Sequence, residues 1–81
     1  MEGQELRDTL ARLLRQRRRW LGLRQRDVAR AVGCGQGRVS EVEQGGEDLS
    51  VSVVVRFLAA MGYSVALVVH RGRRSWRVRL G

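Results

Sequence analysis

The chain has 81 residues, enough for one small domain, and a net charge of +8 in which all sixteen basic residues are arginines. This charge favours a polyanionic partner, nucleic acid first and an acidic membrane surface or acidic protein second. The single cysteine, Cys34, excludes an intramolecular disulfide, and no cluster of Cys and His predicts a metal, so we expect no cofactor. No apolar run could span a bilayer, and the first ten residues do not form a signal peptide. We therefore expect a cytoplasmic protein without a membrane partner.

The first predicted element is a long amphipathic helix. From Glu5 to Leu21, apolar residues recur at spacings of three, four and seven, which is typical of a helix with one buried face, and Gly22 ends it. The residues of this predicted face are Leu6, Leu10, Leu13, Leu14 and Leu21.

Two short helices are predicted next, separated by the glycine-rich stretch "VGCGQG". The first runs from Gln25 to Val32, and Val39 and Val42 mark the buried side of the second. The two glycines that follow "EVEQ" end this third helix.

The remainder of the chain predicts a fourth helix and a β-hairpin. Ser50 or Ser52 caps the helix, which runs to about Met61. Beyond it, "SVALVV" and "SWRVRL" are rich in β-branched and aromatic residues and flank the turn "HRGR", which predicts a hairpin. The single domain thus divides into a helical segment, residues 1–62, and a hairpin extension, residues 63–81. The predicted core residues of the fourth helix are Val53, Val54, Phe57, Leu58 and Met61.

The glycine-rich stretch has two possible interpretations. A dinucleotide-binding loop follows a buried strand and opens a long helix, but the preceding residues, "QRDVARAV", have helical spacing and three charges. The chain is also too short to supply the parallel sheet that such a loop requires. The stretch instead fits a turn between two helices, where Gly33 can adopt a positive φ.

Five residues at fixed offsets support the turn between two helices. With Gln25 as position one, Ala29 is fifth, Gly33 ninth, Val39 fifteenth and Val42 eighteenth. The small side chain of Ala29 lets the two helices approach, and the two valines hold the later helix on the core. The other face of that helix then points outward.

Two stretches of the chain resemble known transcriptional regulators. "GLRQRDVARAVGCGQGRVSEVEQG" resembles the helix-turn-helix of the lambda repressor, Cro and Xre class, and the part through "EDLSVSVVVRFLAAMGYSVALVV" is similar to HigA-type antitoxins. The resemblance, from about Leu10 to His70, implies a mainly α fold: a lambda-repressor-like domain of four to five helices with a C-terminal β-hairpin. It also implies that a homodimer binds double-stranded DNA.

The resemblance further implies DNA contacts at the starts of the second and third helices. Gln25 and Gln36 match polar contact positions of the family, and a glutamine can pair with an adenine edge. Arg38 would bind phosphate or guanine, Gly37 would let the backbone approach DNA, and Glu41 would restrict the sequence. The alternative is that the glutamines are solvated surface residues and the glycines loosen the helix start. The full predicted set is Arg18, Arg24, Gln25, Gly35, Gln36, Gly37, Arg38, Ser40 and Glu41.

Some of these residues depart from the family pattern. Arg24 stands where threonine or serine is preferred as the cap, which weakens the start of the second helix, and Gly35 replaces the more usual serine cap. Arginines at 15, 17, 18 and 19 end the first helix. These arginines either form a solvated face that interacts favourably with the C-terminal end of the helix dipole, or bind phosphate. Arg18 matches the arginine that the family has before "GL".

Both faces of "SVALVV" are apolar, and "SWRVRL" has one apolar face and one that carries arginines, which predicts an interface. A two-stranded hairpin is marginal alone, so we expect it to pack against its symmetry mate and bury Trp76. The alternatives are that it folds onto its own helices or receives a toxin strand. The predicted interface residues are Val65, Leu67, Val69, Trp76 and Val78.

Together these features predict a sequence-specific transcriptional repressor that binds a palindromic operator as a homodimer, autoregulates, and neutralises a toxin. The alternatives are a protein-interaction module that mainly neutralises a toxin or other partner, and a non-specific nucleic-acid packaging protein. No Ser, His and Asp arrangement has catalytic spacing, so we expect no enzymatic activity.

Overall fold

The structure, a computed structural model, describes residues 3–46 and 49–80. Within these ranges four helices precede an antiparallel hairpin, so the predicted mainly helical architecture is confirmed. The predicted helical segment begins at position 1 and the predicted hairpin extension ends at position 81, and both positions lie outside the described residues. Glu47 and Asp48, in the stretch similar to antitoxins, also lie outside them. The elements are α1 (Gly3–Trp20), α2 (Gln25–Val32), α3 (Gln36–Glu43), α4 (Val51–Ala60), β1 (Val65–Arg71) and β2 (Arg74–Leu80).

Local signals set the ends of the short helices. Gly33 follows α2 with φ 85°, and its N–H donates to the carbonyl of Ala29 at 2.8 Å. This is the left-handed conformation predicted for the turn. Gly35 is the N-cap of α3, as predicted. Ser50 is the cap of α4, because its Oγ accepts the backbone N–H of Val53 at 3.3 Å.

The four helices enclose one apolar core. Two details differ from the sequence prediction. The prediction was wrong for Leu21, which lies just beyond the end of α1 at Trp20 and is exposed. On α4, Val55 is buried and Val53 is only half-buried. The buried cluster comprises Leu10, Leu14, Val28, Ala29, Val39, Val42, Leu49, Val54, Phe57, Leu58 and Met61.

The hairpin joins two seven-residue strands through a two-residue loop, Gly72 and Arg73. Gly72 has φ 60° at the first central position, where a type II′ turn requires glycine. The register opposes apolar residues directly, namely Val65 with Leu80, Leu67 with Val78, and Val69 with Trp76.

The hairpin projects from the helical core. Of its residues only Val65 packs against the buried cluster, and the chain measures 44 × 24 × 20 Å. Its radius of gyration, 13.5 Å, exceeds the value of about 12 Å expected for a compact chain of this length. No helix within the described ranges is long and apolar enough to cross a membrane.

Candidate nucleic-acid interface

Helix α3 has one face in the core and one in solvent. Val39, Val42 and Glu43 are buried, whereas Gln36 and Arg38 are exposed. This division follows from the helical period, since positions three and four apart share a face. The face predicted to contact a partner is therefore accessible.

Two predicted contact residues meet at the front of this face. The Nε2 of Gln36 donates to Oε1 of Gln25 at 3.5 Å. Gln25 in turn donates from Nε2 to Oε1 of Glu43 at 3.3 Å. The first side chains of α2 and α3 thus brace one another, with Gln36 the outermost.

Three more predicted contact residues lie along α3. Arg38 Nη1 approaches Glu41 Oε2 at 3.2 Å, and the two side chains are 44% and 62% exposed. An ion pair this exposed contributes little to stability, so Arg38 remains available to another anion. Ser40 is half-buried, and its Oγ accepts from Nε2 of Gln44 at 3.1 Å.

The two glycines at the start of α3 face open space. A methyl group added at Gly35 or Gly37 would meet no atom of the described residues within 4 Å. Neither glycine has a positive φ. The missing side chains are therefore not required by the packing of the chain itself.

The arrangement of two short helices, α2 and α3, joined by a glycine turn and with one face of α3 exposed, agrees with a known protein family. The model of the helix-turn-helix domain family matches residues 9–70, most of the chain. The chain belongs to this family. No curated protein and no solved structure matches it. Family membership supports DNA binding as the function and DNA as the partner.

Within this helix-turn-helix domain, α2, the turn at Gly33 and α3 form the helix-turn-helix unit. Arg24 is the N-cap of α2 and is exposed. Its side chain supplies no cap, but its backbone N–H donates to Oδ2 of Asp27 at 2.8 Å. Asp27 thus offsets part of the weakness expected from an arginine at this position.

Arg18 has an internal role. Its Nε and Nη2 bind the two carboxylate oxygens of Glu43 at 2.5 and 2.9 Å, and its Nη1 donates to the carbonyl of Leu23 at 3.0 Å. The side chains of Arg18 and Glu43 are only 13% and 4% exposed. The geometry therefore gives no support to the predicted phosphate contact of Arg18.

The hydrogen bonds to Glu43 raise the pKa of Arg18 above its usual value, and desolvation only partly offsets this effect. Arg18 therefore stays charged at any physiological pH, and Glu43 has a permanent partner. This bidentate pair joins α1 to the end of α3 across 25 residues of sequence.

Glu43 is the important residue that sequence reasoning missed. It lies four residues after Val39 and one after Val42, so it shares their buried face. An acidic residue on an apolar helix face predicts a buried partner cation, and this signal was present in "VSEVE".

Two other arginines near the end of α1 also bind within the domain. Arg15 Nη1 donates to the carbonyl of Glu43 at 3.3 Å, at the end of α3. Arg17 Nε donates to the carbonyl of Met61 at 3.3 Å, and its guanidinium lies 4.9 Å from the ring centroid of Trp20. These bonds satisfy carbonyls left free at helix C-termini.

Among the described residues, no group of three or more His, Cys, Asp and Glu could hold a metal ion.

We expect Arg18→Ala to lower the free energy of unfolding by about 3–5 kcal/mol, because it leaves the carboxylate of Glu43 buried without a cation. Urea denaturation followed by circular dichroism measures this loss. The matched control is Arg38→Ala, which removes the exposed pair and should cost less than about 1 kcal/mol.

The double variant Arg18→Met with Glu43→Leu should recover part of the stability, because it removes both buried charges together. Equal losses for Arg18→Ala and Arg38→Ala would contradict the structural role of the buried pair.

Proposed function

We propose that this helix-turn-helix protein is a cytoplasmic, non-enzymatic transcriptional repressor that reads DNA sequence through α3. The proposal rests on Gln36, which is exposed on the first turn of α3 and hydrogen-bonded to Gln25 on the first turn of α2. A side chain at the start of α3 is the one that meets base edges when this helix enters the major groove.

The exposed side chains of α3 can form hydrogen bonds that distinguish one DNA base from another. The Gln36 amide both donates and accepts, which matches adenine, and Arg38 matches guanine or a phosphate. Glu41 accepts from cytosine and repels phosphate, so it narrows the set of sequences rather than adding affinity. Arg24 is exposed at the start of α2 and supplies a cation for contact with the phosphate backbone of DNA.

Gly35 and Gly37 fit the same proposal. No packing within the described chain requires either glycine, which supports a role for their missing side chains in contact with DNA. A helix start without side chains can lie close to the sugar-phosphate backbone and the groove wall.

Gly37→Ala should therefore change stability and binding in opposite directions. The free energy of unfolding should rise by about 0.5–1 kcal/mol, because alanine favours the helix and its methyl group meets nothing. DNA affinity, measured by fluorescence anisotropy, should fall because the methyl group occupies the approach. If the alanine variant binds DNA as tightly as the wild type, the proposed close approach of DNA to Gly37 is contradicted.

Gln36→Ala should weaken binding to an operator, selected from a pool of random duplexes, by about 1–3 kcal/mol. Its affinity for unselected duplex should change little, because base contacts specify while phosphate contacts position. Gln16→Ala, at an exposed position of α1, is the matched control and should leave both affinities unchanged. Equal losses on the two DNAs would exclude Gln36 from base readout.

We further propose that the protein binds DNA as a homodimer assembled through the hairpin. The cross-strand pairs place six apolar side chains on one face, which we name the apolar row. Four of them are exposed large apolar residues, and such a contiguous patch is typical of an interface. The apolar row consists of Val65, Leu67, Val69, Trp76, Val78 and Leu80.

The apolar row continues into a groove against α4. This groove has a volume of about 430 Å³ and is lined by Val51, Val53 and Val55 together with Leu67 and Leu80. A second copy of the chain suits it, because a twofold contact uses the same row on both chains. A chain of this length also buries too little surface alone for high stability. A twofold dimer would present two α3 helices to a palindrome, about 34–36 Å apart.

Leu67→Glu should convert the dimer into a monomer and abolish tight operator binding, because it buries a charge in the interface. Sedimentation velocity measures the assembly state. Val68→Glu is the control, since Val68 neighbours Leu67 but points to the opposite face of the hairpin and is equally exposed, at 53% against 47%. A dimer that survives Leu67→Glu, or is lost equally in Val68→Glu, would place the interface elsewhere.

The antitoxin role implied by the resemblance remains a prediction, and in that role the apolar row would receive the toxin. A complex of the chain with a second, different protein at the apolar row would then replace the homodimer in the same sedimentation experiment.

A further inference from the structure

Most of the excess positive charge of the chain lies on the hairpin. Residues 65–80 contain five arginines and no acidic residue, so this segment carries +5 of the net +8. All eight acidic residues lie within the first 48 positions. The helical segment that contains the helix-turn-helix is therefore only weakly basic, and the hairpin charge needs its own explanation. These arginines are Arg71, Arg73, Arg74, Arg77 and Arg79.

The pleat of the hairpin places Arg77 and Arg79 on the face opposite the apolar row, whereas Arg71 and Arg74 share the face of that row. Arg77 and Arg79 alternate with Trp76, Val78 and Leu80, so they lie on the opposite face. Their direct partners across the sheet are Val68 and Ala66. A contact made by the apolar row therefore leaves both arginines accessible.

The two arginines also border a concave site. A pocket of about 340 Å³ is lined by Arg77 and Arg79 from β2, by Val65 and Ala66 at the start of β1, and by Ser64 just before β1. No carboxylate of the described residues forms an ion pair with either arginine. We name the surface formed by Ser64, Ala66, Arg77 and Arg79 the basic face.

We propose that the basic face binds the phosphate backbone of DNA, as a contact separate from the α3 surface. This inference rests on the proposed function, because it extends the DNA footprint of the same protein. The serine and alanine beside the arginines leave room for a phosphate group, and the serine hydroxyl can donate to it.

The arrangement favours phosphate over an acidic protein surface. Arginine binds phosphate oxygens in a bidentate manner. Alternate residues on a strand are about 7 Å apart, so Arg77 and Arg79 can each contact a separate phosphate along one DNA strand. A two-stranded ribbon also has dimensions that suit a DNA groove. Two arginines that project from the same face of one strand can thus bind two phosphates at once.

The test measures binding of the full chain to a random-sequence duplex of about 30 base pairs, roughly three helical turns, over a series of salt concentrations. We expect Arg77→Gln with Arg79→Gln to make the slope of log affinity against log salt shallower by about 1.8 per bound chain, because each lost phosphate contact removes about 0.9. The affinity for a selected operator should fall by the same factor as for random duplex, unlike the effect of Gln36→Ala.

Two further variants serve as controls. Arg71→Gln with Arg74→Gln removes the same charge from the opposite face of the same hairpin and should leave the slope close to that of the wild type. Arg77→Lys with Arg79→Lys keeps the charge and should retain the slope. Circular dichroism and sedimentation check that each variant keeps its fold and assembly state.

The outcomes separate this inference from the proposed function. A wild-type chain that binds neither duplex would overturn both. A wild-type chain that binds operator, with an unchanged slope after the loss of Arg77 and Arg79, would overturn only the phosphate contact and assign the basic face to an acidic protein or to solvent. Equal effects of the two glutamine pairs would show diffuse charge attraction and also overturn a specific site.

Discussion

Glu43 is a carboxylate buried in the core of a small helical domain, and its neutralisation by Arg18 constrains the rest of the structure. The pair fixes the end of α3 to α1, and Gln25 binds the same carboxylate from the start of α2. Gln36 then rests on Gln25. The exposed glutamine proposed to read DNA is therefore held by hydrogen bonds that lead back to one buried ion pair.

This dependence explains the different roles of arginines that look alike in sequence. Near the end of α1, Arg15, Arg17 and Arg18 bind helix C-terminal carbonyls or Glu43, so much of their charge is used within the fold. Arg77 and Arg79 have no such described partner and point away from the apolar row. A charge cluster in sequence therefore does not by itself locate the surface that meets a polyanion.

The hairpin combines two surfaces within sixteen residues, because a strand alternates its side chains between two faces. One face carries the apolar row, which suits a second copy of the chain, and the other carries Arg77 and Arg79, which suit phosphate. Assembly and DNA contact can thus use the same element without competing for the same residues. The separation holds only in this register, since a slip by one residue would exchange the two faces of one strand.

The sequence by itself determined the features that depend on local chemistry. Leucine and valine spacing predicted the four helices, Gly33 and Gly35 marked the turn and the cap, and Gln25 and Gln36 stood at the starts of the second and third helices. These follow from the helical period and from the φ angles open to glycine, which neighbours along the chain decide.

Only the tertiary structure decided that Arg18 pairs with Glu43, and that the apolar sides of β1 and β2 fall on one face. The partners of the ion pair are 25 residues apart, and any of four arginines near the end of α1 offered the same charge. The packing of α1 against α3 selects one of them, and the register of the hairpin selects the face. Both are set by contacts between distant segments, which local sequence patterns do not specify.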